Sequence, residues 1–195
     1  MFIDVFKICI VIVYFVILLK QKSLFERVKN KDIRDNLHEV MRVCKIKYNN
    51  WFLSILLPII SIAGLWFIIW CKFGRYTENS AGGLFHNLSV VTFNPIFEEL
   101  FFRGIFLGVV FIVFPRLVFK KYGWGHYDNW KWSFIPVGVL TVSIMFSFSH
   151  EYKMDLRFLS SIAYSILYLI DKRNLLPAII GHSLNNIIST FILKC

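Results

Sequence analysis

The stretch Phe93–Leu107, FNPIFEELFFRGIFL, places three charged side chains in an otherwise apolar run that is long enough to enter a lipid bilayer. A charge at the centre of a membrane helix costs about 2.5–3.5 kcal/mol on insertion scales, so each one needs a partner or a function. Glu99 and Arg103 are four residues apart and can neutralise each other on one helical face. That pair leaves Glu98 unexplained. The stretch therefore predicts a membrane helix with a functional carboxylate.

The whole sequence has the composition of a membrane protein. It has 195 residues, of which 57% are hydrophobic and 17% are charged, and its mean hydropathy is +0.61. Several apolar runs approach the roughly 20 residues that span a hydrocarbon core. A backbone in lipid must satisfy its own hydrogen bonds, and these runs lack the alternation of barrel strands. We therefore predict an all-α, polytopic membrane bundle with about six transmembrane helices, which forms a single domain over residues 1–195.

The expected spans follow the apolar runs. They lie at 2–19, 51–71, 84–119, 132–149, 158–170 and 175–193. The third run is too long for one span, and we expect a break near Asn94 because a proline, here Pro95, disfavours helix at the residue before it. The four cysteines show no paired spacing and predict neither a disulfide framework nor a zinc ribbon.

The net charge of +10 comes mainly from basic segments between the apolar runs, above all 20–50 and 116–131. The positive-inside rule places both segments in the cytoplasm and the protein in the cell membrane, with the bilayer as a partner. The charge therefore does not indicate a nucleic-acid partner. Within 20–50, apolar residues recur at broadly helical spacing, which predicts either an interfacial amphipathic helix or a solvated basic loop. We interpret 116–131 as a loop.

Two later apolar runs also carry polar side chains at membrane depth. His150 follows Phe146 by four residues, and Asn186 follows His182 by four, so each pair lies on one helical face. A lone histidine at a helix end is more often a packing residue than a catalyst, and a lone asparagine can simply bind a neighbouring helix. Polar residues from three apolar runs that converge on one cavity favour a functional site.

These residue types support the hydrolysis of an amide. A carboxylate and an imidazole that face one water can remove its proton. A second imidazole and an amide can stabilise the oxyanion that forms, whereas no Ser or Cys stands in a recognisable nucleophile setting. The same residues fit a second mechanism, in which Glu98, His150 and His182 bind a divalent metal such as zinc. The residue types leave open whether such a cofactor is used.

Three patterns occur in order within hydrophobic segments: EExxxR at Glu98, Glu99 and Arg103, FxxxH at Phe146 and His150, and HxxxN at His182 and Asn186. Together they resemble the CAAX protease and bacteriocin-processing family, also called the Abi family. By analogy with its type II CAAX prenyl endopeptidases, the resemblance implies that Glu98 and His150 activate water. It also implies that His182 and Asn186 stabilise the oxyanion. Glu99 and Arg103 would then shape the site.

The resemblance covers residues 84–193 and implies that they form a catalytic core, preceded at 1–83 by N-terminal spans and the basic cytoplasmic segment. It implies an intramembrane endopeptidase whose substrate is a membrane-associated peptide or protein. Similarity to compact bacterial members points to bacteriocin maturation, self-immunity or peptide signalling. An alternative is a bacteriocin immunity or binding protein without catalysis. A transporter is a third hypothesis, because buried Glu and His can relay protons.

Overall fold

The structure is a computed structural model that describes residues 9–14, 16–17, 20, 23, 28, 30–47, 50–73, 84–124, 130–150 and 154–189. The described residues form helices joined by short turns, and none of them lies in a strand. The α-helices are α1 (Lys31–Val43), α2 (Leu57–Phe73), α3 (Leu84–Val91), α4 (Phe93–Glu99), α5 (Phe114–Tyr122), α6 (Lys131–Phe148), α7 (Met154–Ile170) and α8 (Leu175–Ile187), and π-helices occur at Phe52–Leu56 and Leu100–Val113. The predicted all-α architecture is confirmed.

Among the described residues, two helical stretches are long and apolar enough to cross a membrane. They are Asn87–Tyr122, with 36 residues, and Lys131–Phe148, with 18 residues. Shorter apolar helices lie at Phe52–Phe67 and Leu156–Ile170. The expected first span, 2–19, is helical at residues 9–14 and 16–17 and otherwise lies outside the described residues. The number of about six spans stays a prediction.

The expected break before Pro95 lies at Thr92, between α3 and α4. Thr92 has a φ of −111° and a ψ of −65°, which interrupts the regular helix. Its hydroxyl donates to the carbonyl of Leu88 at 2.6 Å. The helix resumes at Phe93, and Pro95 in its first turn is tolerated because the first turn needs no intrahelical N–H donor.

The helix that carries Glu98 and Glu99 then widens into the π-helix Leu100–Val113. At its end the N–H of Phe114 donates to the carbonyl of Val109, five residues back. Such windings are rare and frequently occur at functional sites. Nothing in the residue pattern predicted this one.

The predicted loop at 116–131 is wrong for its first part, because α5 continues the helix to Tyr122. Lysine and arginine are good helix formers, so the helix can extend beyond the apolar run. It ends at Gly123, whose φ of 66° is left-handed and suits glycine. In the segment 20–50, residues 31–43 form the amphipathic helix α1 rather than a loop.

Several basic segments meet at one end of the bundle, which we call the basic end: α1, residues 44–47, α5, the start of α6 and residues 171–174. Arg116 of α5 lies 3.1 Å from Glu39 of α1. The carbonyl of Lys45 accepts from the N–H of Leu175 at 2.9 Å, which joins the segment after α1 to the start of α8. Phe119 of α5 packs on residues 130 and 134 around the start of α6.

Asn174 holds the start of α8 in place. Its buried side-chain oxygen accepts from the N–H of Lys47 at 2.9 Å and from that of Leu176 at 3.3 Å. Its amide nitrogen donates to the carbonyl of Lys47 and, at 2.6 Å, to the carboxylate of Asp171. Because α8 carries His182, this junction also positions that histidine.

We expect Asn174→Ala to lower the free energy of unfolding by about 1–3 kcal/mol, since it removes the hydrogen-bond partner of part-buried backbone groups of Lys47. The matched control is Asn30→Ala, which removes an exposed cap of α1 and should cost about 1 kcal/mol. Unfolding of both variants in the same detergent measures the difference. Equal losses would contradict this role of Asn174.

Close packing brings α6 alongside the π-helix. A Cβ atom on Gly138 of α6 would lie 2.8 Å from the Cβ and Cγ atoms of Phe111. Glycine at such contacts allows membrane helices to approach closely. This contact packs α6 on the π-helix, and near the end of α6 the ring of Phe146 lies 5.2 Å from that of Phe102.

Candidate active site

The Glu98 carboxylate lies between two imidazoles that come from distant parts of the chain. Its Oε2 atom is 3.5 Å from Nε2 of His150 and 3.7 Å from Nε2 of His182. The side chains of Glu98 and His150 are 15% and 25% exposed, whereas that of His182 is 2% exposed. Glu98 and His150 are therefore the partly exposed members of the cluster, and His182 is a buried one.

The contacts of His150 assign its tautomer. Nδ1 lies 2.9 Å from the carbonyl of Phe146, which can only accept a hydrogen bond, so Nδ1 carries the proton. In the neutral ring Nε2 is then an acceptor, and it faces the carboxylate oxygen of Glu98. Two hydrogen-bond acceptors that are 3.5 Å apart repel each other unless a proton or a hydrogen-bond donor lies between them. One water molecule can donate an O–H to each.

A buried ion pair contacts His182, the buried histidine of the cluster. Oε1 of Glu99 lies 3.2 Å from Nη1 of Arg103, and both side chains are fully buried. The same oxygen lies 2.8 Å from Nδ1 of His182. Arg103 also donates to the hydroxyl of Ser161 and, at 2.8 Å, to its carbonyl. The i,i+4 ion pair expected from the sequence, Glu99 with Arg103, is present. Glu99 also contacts His182, and Arg103 also contacts Ser161 of α7.

Aromatic rings enclose this buried half. The guanidinium of Arg103 lies 4.9 Å from the ring centre of Phe146 and 5.4 Å from that of Tyr164. Tyr164 stacks on His182 with ring centres 4.9 Å apart and an angle of 14° between the planes. The Phe146 ring also lies 4.5 Å from that of His150. The phenylalanine of FxxxH thus contacts both the arginine and the histidine of the site.

Asn186 is positioned by α3. Its amide nitrogen donates to the carbonyl of Val90 at 2.9 Å, and the residue is 7% exposed. This contact leaves one amide hydrogen of Asn186 for another acceptor. The oxyanion role implied for Asn186 stays a prediction.

The sequence patterns did not indicate three residues that contact Arg103, His182 or the neighbouring Asn185. Ser161 and Tyr164 are three apart on α7, a spacing that places both on one helical face. The polar groups of these two side chains, within an otherwise apolar helix, could have indicated them. Trp66 of α2 donates from Nε1 to the side chain of Asn185 at 3.1 Å, and no local pattern predicts that contact.

The second mechanism considered from the sequence needs side chains that are arranged to bind a metal ion. Within the parts of the chain that the structure describes, no group of three or more His, Cys, Asp and Glu side chains is arranged to hold a metal ion. The set expected for zinc is Glu98, His150 and His182. Oε2 of Glu98 lies 3.5 Å from Nε2 of His150 and 3.7 Å from Nε2 of His182. The described residues therefore do not present a set of three metal donors, and we derive no step through a metal ion.

A family model described as type II CAAX prenyl endopeptidase Rce1-like matches residues 80–188. No match was found among curated proteins or among solved structures. The matched range includes all three patterns that resemble the CAAX protease and bacteriocin-processing family, and that resemblance is confirmed. Because the match covers more than half of the residues, this chain, an all-helical membrane bundle and a protease, belongs to the type II CAAX prenyl endopeptidase Rce1-like family.

Proposed function

We propose that the protein is an intramembrane endopeptidase in which Glu98 and His150 activate the water that attacks a peptide carbonyl. The main support is the position of the Glu98 carboxylate. Its buried Oε2 atom lies 3.5 Å from Nε2 of His150, and the side chains of Glu98 and His150 are partly exposed, whereas Glu99, Arg103 and His182 are buried. A base at this position can reach a water and the bond that the water attacks.

The first step follows from these positions. Glu98 takes a proton from the water while Nε2 of His150 accepts the second hydrogen bond. The water oxygen forms a bond to the carbonyl carbon of the substrate, and the electron pair of the C=O bond moves to the oxygen. The product of this step is a tetrahedral intermediate with a negative oxygen.

His182 is the proposed donor to that oxygen. When the ring carries protons on both nitrogens, Nδ1 donates to Glu99 and Nε2 can donate to the oxyanion. The Glu99 carboxylate stabilises the positive charge on the ring, and Arg103 holds the carboxylate in place. Donors that are fixed before the reaction stabilise the intermediate without reorganisation.

The second step returns the proton. The electron pair of the negative oxygen re-forms the C=O bond as the C–N bond breaks. The electron pair of the C–N bond stays with the nitrogen, and the leaving amine takes the proton from Glu98. One water is consumed, and the products are a carboxyl terminus and an amino terminus. The side chain of Glu98 is then ready for another water.

The proposed substrate is a membrane-associated peptide or protein, and the proposed partners are that substrate and the bilayer. The site lies between apolar helices, so a segment that enters it must leave the aqueous phase or run along the protein surface. We propose multi-pass insertion with the segments 20–50 and 116–131 in the cytoplasm, as the distribution of Lys and Arg predicts. Roles in bacteriocin maturation, self-immunity or peptide signalling stay predictions.

Purified protein in liposomes tests the activity. We expect it to cleave members of a set of peptides that carry one apolar anchor segment. The activity should survive removal of divalent ions by a chelator, because the base is Glu98 itself. Loss of activity on chelation with recovery on addition of zinc would contradict direct activation. A folded protein that cleaves none of these peptides would contradict the proposed activity.

A further inference from the structure

Glu99 holds the imidazole of His182 at one of its two nitrogens. Nδ1 of His182 lies 2.8 Å from Oε1 of Glu99, and the His182 side chain is 2% exposed. A single hydrogen bond leaves the ring free to tilt about the line that joins the two atoms. Such a tilt would move Nε2, the nitrogen that the proposed function assigns to the oxyanion. The direction of Nε2 therefore depends on the side chains that lie against the faces of the imidazole.

Tyr164 of α7 lies flat against one face of this imidazole. The two ring centres are 4.9 Å apart, and the angle between the planes is 14°. The ring of Phe146 also contacts His182, with ring centres 5.6 Å apart, but it is turned by 72°. A parallel ring in close contact prevents the imidazole from tilting toward it, because the two rings would overlap. Of these two aromatic residues, Tyr164 is therefore the one that fixes the plane of His182.

Close packing of α7 on α8 keeps Tyr164 itself in place. The Tyr164 side chain is fully buried. A Cβ atom on Gly181 would lie 3.0 Å from Cδ1 of Leu167 and 3.7 Å from Cδ1 of Tyr164. The two helices thus approach closely at the residue before His182. Tyr164 can move away from the imidazole only if this helix contact opens.

Tyr164 also lies next to the positive charges of the site. The face of an aromatic ring attracts a cation within about 6 Å of its centre. The guanidinium of Arg103, which is always protonated, lies 5.4 Å from the centre of the Tyr164 ring. The imidazole of His182 becomes a second cation when both of its nitrogens carry protons. Because Tyr164 and His182 are buried, their contact stabilises that charge more than it would in water.

From these contacts we propose that Tyr164 is a positioning residue for peptide hydrolysis. Its ring keeps Nε2 of His182 directed at the oxyanion and stabilises the protonated imidazole. The contacts with His182 and Arg103 are made by the aromatic ring, so the effect depends on the ring and not on the hydroxyl group. This inference rests on the proposed function, because Tyr164 acts through the histidine that is proposed to bind the oxyanion.

Steady-state cleavage of an anchored peptide in liposomes tests this role. Tyr164→Leu should lower kcat about 5–30-fold, the effect of losing a largely desolvated contact between an aromatic ring and a cation. KM should change little, because the ring acts on His182 and not on the substrate. Tyr164→Phe keeps the ring and should retain the kcat of the unmodified protein.

The matched control is Tyr168→Leu. It removes an equally buried tyrosine one turn further along α7, where the hydroxyl donates to the carbonyl of Val43 at 2.7 Å. This variant should be less stable than the unmodified protein, but each folded molecule should keep its kcat. A Tyr164→Leu protein with the same kcat per folded molecule as Tyr168→Leu would overturn the role of Tyr164.

Fluorinated side chains at position 164 separate charge from packing, and they test the proposal even if Tyr164→Leu does not fold. Phenylalanines that carry increasing numbers of fluorine atoms have nearly the same shape, but each fluorine weakens the attraction of the ring face for a cation. The kcat should fall stepwise along this series. A kcat that does not depend on fluorination would overturn the proposal.

A double variant tests whether Tyr164 acts through His182. In a His182→Ala background, Tyr164→Leu should lower kcat no further, because both changes remove the same interaction. Losses that add in full would overturn the proposal while the unmodified protein still cleaves peptides. An unmodified, folded protein that cleaves no peptide would instead overturn the proposed function, and this inference with it.

Discussion

Replacement of Glu98 by glutamine should lower the rate of peptide hydrolysis about 10²–10⁴-fold, the usual contribution of a positioned general base. The amide has nearly the same size as the carboxylate but cannot take the proton from water. The side chain is 15% exposed, so the change does not leave a deeply buried group without its partner. Glu98→Gln should therefore remain folded while it loses activity. Steady-state cleavage in liposomes, together with thermal unfolding in detergent, measures both effects.

The matched control for this change is Glu39→Gln. Glu39 lies in α1 at the basic end, where it pairs with Arg116, so the control removes a carboxylate charge far from the site. It should retain the rate of the unmodified protein. A Glu98→Gln protein that is as active as this control would show that Glu98 is not the base.

Replacement of Arg103 by leucine should destabilise the protein by about 3–5 kcal/mol, the cost of removing one partner from a buried ion pair. The guanidinium contacts Glu99 at 3.2 Å and the carbonyl of Ser161 at 2.8 Å, with no solvent exposure. Without it, the Glu99 carboxylate stays buried with only His182 beside it. Denaturant unfolding in detergent measures the loss. Cleavage activity should fall as well, because the contact that fixes His182 is weakened.

The matched control here is Arg116→Leu. Arg116 forms an ion pair with Glu39, but its side chain is 51% exposed, so its loss should cost about 1 kcal/mol or less. A double variant, Glu99→Leu with Arg103→Leu, removes both charges and should recover part of the lost stability. Equal unfolding free energies for Arg103→Leu and Arg116→Leu would contradict the structural role of the buried pair.

Much of the fold could be predicted because its signals are local. Apolar runs gave the helices, and Pro95 gave the break that the structure has at Thr92. The apolar spacing in 20–50 pointed to α1. Each of these signals depends on a few neighbouring residues, and sequence periodicity reports such features directly.

The π-helix and the extension of α5 could not be predicted in the same way. The π-helix Leu100–Val113 packs closely on α6, where a Cβ atom on Gly138 would meet Phe111, and no local pattern reports such a contact. α5 lies within a basic segment that resembles a loop in composition, but its Arg116 is held by Glu39 of α1. In both cases the helix contacts residues that are distant in the sequence, and local patterns do not report such contacts.

The sequence patterns predicted six polar residues of the candidate site, but not their arrangement and not Tyr164. Spacing of four residues gave the pairs Glu99 with Arg103 and His182 with Asn186. It did not show that Glu99 also contacts His182, because that contact joins residues 83 positions apart. Tyr164 was not predicted because it contributes to the site by stacking its ring on that of His182, and motif spacing does not show such a contact.

The most direct test of hydrolysis by water is the mass spectrum of a quenched reaction between the purified protein and an anchored peptide that it cleaves. Direct attack by water predicts two fragments whose masses add up to that of the peptide plus one water, and an enzyme of unchanged mass. An enzyme that carries a covalently bound peptide fragment during turnover would contradict the account, because the nucleophile would then be a side chain.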